Sequence, residues 1–376
     1  MLGEHLVLDR EGFAAVLRAL VETGYDLVGP TVRDGAIVLD TLHGIDELPE
    51  GVGDEQAPGH YRLRQREDTA LFGYAASPHS WKRELLPPRV PLVQIRRGPH
   101  GLAIEAPPQP SRKVAFIGVR GCELAAIGVQ DRVLRDGAHA DADYRARREQ
   151  VFVLAVHCGS PAGTCFCVSM GAGPRAGSGF DLGATEILDG EHRFLVEIGT
   201  PVGRAIIERV ASRPSAPADR AAATAVTDSA ATRMGRTMPA AGLRDVLMAN
   251  LEHPRWQAVA DRCLGCANCT MACPTCFCTN VEDTTDLSGD VATRARRWDS
   301  CFTDDFAYVH GGSVRPSLRA RYRQWLTHKL ATWHDQFGTS GCVGCGRCIT
   351  WCPVGIDITE EVAAIRGDAQ ARNHDG

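Results

Sequence analysis

Residues 263–274 read Cys-Leu-Gly-Cys-Ala-Asn-Cys-Thr-Met-Ala-Cys-Pro, and residues 342–353 read Cys-Val-Gly-Cys-Gly-Arg-Cys-Ile-Thr-Trp-Cys-Pro. Both stretches, here called the first array and the second array, have the spacing Cys-x2-Cys-x2-Cys-x3-Cys-Pro. Three thiolates at i, i+3 and i+6 of one loop can bind three irons of a cubane, whereas a structural zinc site usually joins two separate cysteine pairs. The arrays therefore predict two [4Fe-4S] clusters.

The fourth cysteine of each array, which precedes a proline, is predicted to cross to the other cluster. In two-cluster ferredoxins with this spacing, the fourth cysteine binds the cluster of the other motif. The predicted ligands of the first [4Fe-4S] cluster are Cys263, Cys266, Cys269 and Cys352. The predicted ligands of the second cluster are Cys342, Cys345, Cys348 and Cys273.

The remaining cysteines fall into two sets. A candidate third iron–sulfur cluster has as ligands Cys122, Cys158, Cys165 and Cys167, which follow predicted strands and would meet at one edge of a sheet. No standard spacing supports this cluster, and burial as small apolar residues is the alternative. The other set is Cys276, Cys278 and Cys301, which is one ligand short of a complete cubane site. Its Thr-Cys-Phe-Cys stretch, residues 275–278, repeats residues 164–167.

Composition and charge narrow the functional classes. A chain of 376 residues is long enough for two domains, and a net charge of -5 gives no reason to expect nucleic acid as a partner. The N-terminus lacks the features of a signal peptide, and no apolar run has the length of a membrane span. We therefore expect a cytoplasmic location, where cysteines serve as metal ligands more often than as disulfides.

Hydrophobic periodicity predicts an α+β or α/β N-terminal domain with a mixed sheet over residues 1–234. Its centre is a β-α-β unit formed by strands at residues 113–119 and 151–156 with a helix at residues 122–135 between them. The local predictions are an N-cap at Asp9 before the first helix, a two-residue hairpin turn at Asp34-Gly35, a loop at residues 47–59 and one long helix at residues 315–336. Residues 211–234 are rich in Ala, Ser, Thr and Pro, which marks the boundary. Residues 235–376 are predicted to form an α-helical ferredoxin-like dicluster domain, because the long insert between the arrays has mainly helical periodicity.

Motifs for nucleotide binding and for hydrolysis are absent from the sequence. There is no Gly-rich dinucleotide fingerprint between a strand and a helix, no P-loop and no nucleophile elbow. We predict no catalytic residue in this chain. Clusters without a substrate or nucleotide motif are most simply interpreted as a relay that passes electrons between partner proteins.

Several segments resemble those of one protein family. The stretches that carry the resemblance include both arrays, Cys273-Pro274-Thr275-Cys276-Phe277-Cys278, Trp298-Asp299-Ser300-Cys301, Arg321-Tyr322-Arg323-Gln324-Trp325, Gly118-Val119-Arg120-Gly121-Cys122 and Thr164-Cys165-Phe166-Cys167. They are similar to the β subunit of cytoplasmic sulfhydrogenases and to the related electron-transfer subunit of anaerobic sulfite reductase. The resemblance covers most of residues 110–365 and strengthens the case for the third cluster.

The resemblance implies a set of partners. It implies an iron–sulfur electron-transfer subunit beside a flavoprotein subunit that binds FAD and NAD(P), with the small and large subunits of a [NiFe] hydrogenase at the other end. In the sulfite reductase alternative, the other end is a sirohaem subunit. A rival of another class, a zinc-binding scaffold without redox activity, predicts a colourless protein.

Overall fold

The computed structural model describes residues 3–75, 77–106 and 110–374. The strands are β1 (His5–Asp9), β2 (Asp26–Arg33), β3 (Ala36–Leu42), β4 (Val52–Ala57), β5 (His60–Gln65), β6 (Arg89–Gly98), β7 (Gly101–Glu105), β8 (Val114–Val119), β9 (Val151–Val156), β10 (Leu182–Ile187), β11 (Arg193–Ile198), β12 (Arg213–Pro214), β13 (Thr279–Thr285), β14 (Val291–Trp298), β15 (Tyr308–Val309) and β16 (Gly312–Ser313). The helices are α1 (Arg10–Glu22), α2 (Lys82–Leu85), α3 (Gly121–Leu134), α4 (Ala142–Glu149), α5 (Pro201–Ile207), α6 (Pro217–Thr232), α7 (Leu243–Ala249), α8 (Arg255–Ala260), α9 (Asn268–Met271), α10 (Leu318–Thr327), α11 (Trp333–Phe337), α12 (Arg347–Thr350) and α13 (Ile358–His374).

A large mixed sheet organises the first half of the chain, as predicted. Its strand order is β12-β1-β11-β10-β9-β8-β2-β3. The pairs β2–β8, β8–β9 and β9–β10 are parallel, while the outer pairs are antiparallel. The predicted β-α-β unit is confirmed as β8-α3-β9. Because β8 and β9 run in the same direction, the cysteine-bearing turns that follow them leave the sheet at the same edge.

Both faces of this sheet are covered. Ala115 and Ile117 of β8 pack into one core with residues of α1 and α5. The alternate residue Phe116 packs into a second core with residues of α3. A strand buried on both faces needs apolar residues at every position, which explains why β8 reads Val-Ala-Phe-Ile-Gly-Val.

Local sequence signals account for the first elements of the chain. The Asp9 carboxylate accepts a hydrogen bond from the Gly12 N–H at 2.7 Å, so that it caps α1 as predicted. Asp34 and Gly35, with φ of 49° and 75°, form the predicted two-residue turn between β2 and β3. The region predicted as a loop at residues 47–59 instead contains β4, which pairs with β5.

A second sheet joins the two halves of the chain in the order β13-β14-β6-β7. The insert between the arrays was expected to be mainly helical, but its first part is the β13–β14 hairpin. Strand β14 pairs with β6, a strand distant in the sequence, and this long-range pairing overrides local periodicity. The α-helical ferredoxin detail of the prediction is therefore not confirmed, and the division at residues 234 and 235 stays a prediction.

The helices of the second half enclose a core that includes array cysteines. Helices α7, α8, α10 and α13 pack together around Trp256, Leu326 and Val362. The long helix predicted near residues 315–336 is present as α10 and α11, joined by a π-helical turn at His328–Thr332. Such turns often occur at functional sites, and this one carries Lys329.

Candidate metal centres

The two arrays fold in the same way. In the first array, Gly265 and Ala267 have left-handed φ values of 65° and 66°, and in the second array Gly344 and Gly346 have φ values of 68° and 76°. Two left-handed residues between three cysteines turn the loop back on itself, so that its thiols face a common volume. A short helix follows each loop, and these two helices, α9 and α12, pack against each other.

Main-chain amides approach the thiols at matching positions. Gly265 N–H donates to Cys263 Sγ at 3.4 Å, and Gly344 N–H donates to Cys342 Sγ at 3.4 Å. Ile356 N–H donates to Cys352 Sγ at 3.3 Å. Hydrogen bonds to thiolate sulfur stabilise the charged form and tune a bound metal centre.

The structure places Cys352 with the cysteine triad of the first array. One cavity is lined by Cys263, Cys266, Cys269 and Cys352, together with Cys348 of the second array and apolar side chains that include Trp325. Burial raises the pKa of Cys269 well above its ordinary value, and the thiolates of Cys263 and Cys352 raise it further. Since the four thiols repel one another as anions, a bound cationic iron centre would stabilise their deprotonated forms.

Cys273 lies with the triad of the second array. Burial raises the pKa of Cys342 to about 12, against the opposing effect of the Lys329 ammonium. Burial also raises the pKa of Cys348 well above its ordinary value, and the negative charges of the Cys342, Cys345 and Cys273 thiolates raise it further. Cys352 thus lies next to Cys263 and Cys269, and Cys273 lies next to Cys342, Cys348 and Cys269. The division of these thiols between two clusters stays a prediction.

Two buried lysines face this group of thiols. Lys329 Nζ donates to Cys273 Sγ at 3.3 Å, to Thr275 Oγ1 at 3.1 Å and to Gly341 O at 3.1 Å. Burial lowers the pKa of Lys329, but the thiolates of Cys273 and its neighbours outweigh burial and raise it well above the ordinary value. Lys82 donates to the last carbonyls of α9 and lies 4.1 Å from the centre of the Trp298 ring.

The sequence did not identify either lysine as part of the site. The chain contains three lysines in all, and the third, Lys113, is exposed. In a chain whose basic side chains are otherwise arginine, two isolated lysines were a signal, but only tertiary packing brings them to the thiols. A buried ammonium next to thiolates offsets part of the negative charge that a thiolate-bound cluster carries.

Among the residues that the structure describes, no three or more His, Cys, Asp or Glu side chains converge on one point as the ligands of a single metal ion do. A cubane distributes its four thiolates over four irons, so that its ligands surround a volume and not a point.

Comparison with known proteins identifies the family. Residues 262–356 match a family model described as a 4Fe-4S dicluster domain. Over 257 residues, the chain is 31% identical to the β subunit of sulfhydrogenase 2 from Pyrococcus furiosus, which covers 68% of this chain and 74% of the relative. The chain belongs to the sulfhydrogenase β-subunit family. No solved structure matches it.

The family assignment confirms the resemblance predicted from the sequence. This sulfhydrogenase β-family chain is an iron–sulfur electron-transfer subunit with a dicluster domain. The arrays, their shared geometry and the apolar wall around Cys352 fit the clusters that the domain implies. In the part of the chain that the structure describes, no helix combines the length and the apolar character that crossing a bilayer requires.

The cysteines of the candidate third cluster also come together in the sulfhydrogenase β-family chain. Burial is the main cause that raises the pKa of Cys167 to about 12, and the negative charges of the Cys158 and Cys345 thiolates contribute to this shift. Burial raises the pKa of Cys122 well above its ordinary value, and the negative charges of the Cys167 and Cys345 thiolates raise it further. Cys165 lies in the same group, with its thiol 3.9 Å from the Cys345 carbonyl oxygen. Cys122, Cys165 and Cys167 therefore lie beside Cys345 of the second array, and Cys158 lies next to Cys165 and Cys167.

A buried ion pair fixes the second array against α3. Arg347, which is 1% exposed, pairs with Glu123 and donates through Nε to Ser77 O at 2.6 Å. Glu123 also accepts a hydrogen bond from Trp81 Nε1 at 3.0 Å. Because Glu123 follows Cys122, this pair sets the position of that thiol relative to the second array. Sequence reasoning missed the pair, since its residues are more than two hundred positions apart.

Proposed function

We propose that this chain holds two [4Fe-4S] clusters with crossed ligation and relays electrons in a cytoplasmic NAD(P)-linked [NiFe] hydrogenase complex. The first cluster would be held by Cys263, Cys266, Cys269 and Cys352, and the second by Cys342, Cys345, Cys348 and Cys273. The observation that carries the proposal is the cavity in which Cys352 lies with the first triad, next to Cys348 of the second array.

The partners proposed for the complex are a flavoprotein that binds FAD and NAD(P) and the small and large subunits of a [NiFe] hydrogenase. The Pyrococcus furiosus relative is a sulfhydrogenase subunit, which supports this choice over the sirohaem sulfite reductase. Iron–sulfur clusters supply one-electron transfer, which complements a flavin that divides a two-electron hydride.

We propose that the thiol groups form a row through the chain. The candidate third group adjoins Cys345 of the second array, and Cys269 of the first array lies beside Cys273 and Cys348. We propose that Cys122, Cys158, Cys165 and Cys167 bind a third cluster at one end of this row. A row of adjacent centres would let a protein of this size carry electrons between two partners.

The two ends of the row reach the surface in different places. Cys266 is exposed, and the neighbouring Leu264 is 64% exposed, so the first array has an apolar edge in contact with solvent. At the opposite end, Cys158 is half-buried, and the following residues Gly159 and Ser160 line an open cavity of about 420 Å³. We propose that one redox partner docks at each end.

The test is anaerobic purification of the full chain and of its complex with the subunits encoded beside it. We expect about eight irons per chain from the arrays and about four more from the third group, with EPR signals after reduction. In the complex, the reduction of NAD(P)+ by hydrogen should require the array cysteines. A colourless protein that contains zinc would refute the redox role, and co-purification with a sirohaem subunit would favour sulfite reductase.

A further inference from the structure

Three cysteines have no place in the proposed row of centres. Cys276, Cys278 and Cys301 line one cavity of about 400 Å³, together with Lys329 and Trp333. The first two thiols follow the first array, and the third follows β14. Cysteines from two distant segments therefore line one cavity, in which the Cys278 thiol contacts the Cys301 thiol. The Cys276 thiol also contacts the thiol of Cys273, so the cavity adjoins the first array.

Hydrogen bonds hold the two segments in register. The Thr275 hydroxyl donates to Gly341 O at 2.7 Å, which fixes the start of the Thr-Cys-Phe-Cys turn against the second array. The Asp299 N–H donates to Cys278 O at 2.9 Å, at the end of the β13–β14 pairing. This pairing brings Cys301 to the turn. The same hairpin that departs from the predicted helical insert thus assembles the three thiols.

The charge around this cavity is unusual for a protein interior. Both buried lysines of the chain, Lys82 and Lys329, face the thiols. Within the described residues, neither ammonium has a carboxylate at ion-pair distance. Buried ammonium groups are costly without a counter-charge, and the thiolates are the acidic groups at hand. Lys329 already contacts Cys273, the fourth cysteine of the first array. Lys82 has no array cysteine among its hydrogen-bond partners.

We propose that Cys276, Cys278 and Cys301 bind an additional iron–sulfur cluster with three cysteine ligands. Thiolate sulfur is the preferred ligand of iron–sulfur centres. Three thiolates complete the protein ligation of a [3Fe-4S] cluster, while a [4Fe-4S] cluster would leave one iron to a small ligand from the cavity. Lys82 would balance its charge, and the rings of Phe277 and Trp333, 5.9 Å apart, would shield it from water.

Packing of free thiols is the alternative explanation of the same three residues. It accounts for burial, since cysteine is a small apolar side chain. It accounts neither for a cavity of about 400 Å³ beside the thiols nor for the buried ammonium group of Lys82. A cluster accounts for all three observations.

The test compares the anaerobically purified full-length chain with a C276A/C278A/C301A variant. If the inference is right, the folded variant loses about three or four irons per chain with the matching sulfide, and it keeps the EPR signals of the array clusters. An EPR signal of the oxidised protein that disappears with the substitutions would identify [3Fe-4S]. A folded variant with the iron content of the wild type would overturn the inference.

A second variant keeps the inference testable if the triple substitution prevents folding. C165A/C167A removes ligands of the candidate third cluster and leaves the Cys276 cavity intact. The arrays account for about eight irons, so any excess that this variant retains must belong to the Cys276 group. An iron content of about eight, in the wild type or in this variant, would overturn the inference. The proposed array clusters would still stand in that case.

A third measurement addresses Lys82. We expect K82M to shift the midpoint potential of the additional cluster to more negative values, because a reduced cluster loses one of its two neighbouring counter-charges. K113M replaces an exposed lysine and serves as the matched control. A cluster potential that K82M leaves unchanged, in a protein with full iron content, would contradict the role of this lysine.

Discussion

Replacing Lys329 by methionine should make the second cluster harder to reduce. The ammonium lies 3.3 Å from Cys273 Sγ and is buried in the π-helical turn. Reduction adds one negative charge to the cluster, and the ammonium stabilises that charge more than it stabilises the oxidised form. Methionine keeps much of the side-chain length and removes the charge.

The size of the effect follows from this distance. At an effective dielectric constant of about 20, a full unit charge at 3.3 Å from Nζ would interact with it by about 5 kcal/mol. The added electron is spread over the cluster, which reduces the interaction to roughly half, about 2.5 kcal/mol. For a one-electron couple, this corresponds to a shift of about 100 mV to more negative potential.

The assay is an EPR-monitored redox titration of the anaerobic protein, with K113M as the matched control. K113M should titrate like the wild type, because Lys113 is exposed. K329M also loses hydrogen bonds to Thr275 and Gly341, so iron content and circular dichroism must first show that both variants are folded and loaded. A shift below about 20 mV in a fully loaded K329M protein would refute the electrostatic argument.

Three further predictions address ligation and folding. In C352S, iron content and EPR should show that the cluster held by the first array is lost or altered while the other is retained. Loss of the second array's cluster instead would mean that the four cysteines of each array bind the same cluster. G344A should lower the unfolding free energy by about 1–3 kcal/mol more than G338A. Both glycines have φ of +68°, but only Gly344 has main-chain atoms within 2.6 Å of an added Cβ. Equal melting temperatures of the two variants would contradict this prediction. D9A should destabilise the protein by about 1 kcal/mol in chemical denaturation, because it removes the hydrogen bond from Gly12 N–H. D34A, in a turn, offers a comparison without a helix cap. An unfolding free energy of D9A at or above that of the wild type would contradict the capping role.

Local signals in the sequence were sufficient for much of the fold. A cap such as Asp9 and a turn such as Asp34-Gly35 act over a few residues, and the structure contains both where they were predicted. The apolar run of β8 likewise identified a strand covered on both faces. The β13–β14 hairpin was missed because its pairing with β6 depends on residues almost two hundred positions away.

The candidate site likewise has parts that local sequence predicts and parts that depend on distant segments. Spacing within each array identified the triads, because three ligands of a cubane must lie within one short loop. The spacing of the Cys276 group has no such standard form, so its three thiols could be associated only after β14 brought Cys301 to the turn. Lys82, Lys329 and the Arg347–Glu123 pair were beyond sequence reasoning for the same reason.

Ligand type and spacing are local properties of the chain, and they were enough to predict iron–sulfur chemistry. They identified two arrays of soft ligands and the family to which the chain belongs. Which thiols meet, which charges face them and which of them reach solvent could be read only from the folded chain. Those features depend on segments far apart in the chain, whose positions are set by packing and by strand pairing, and no local pattern records them.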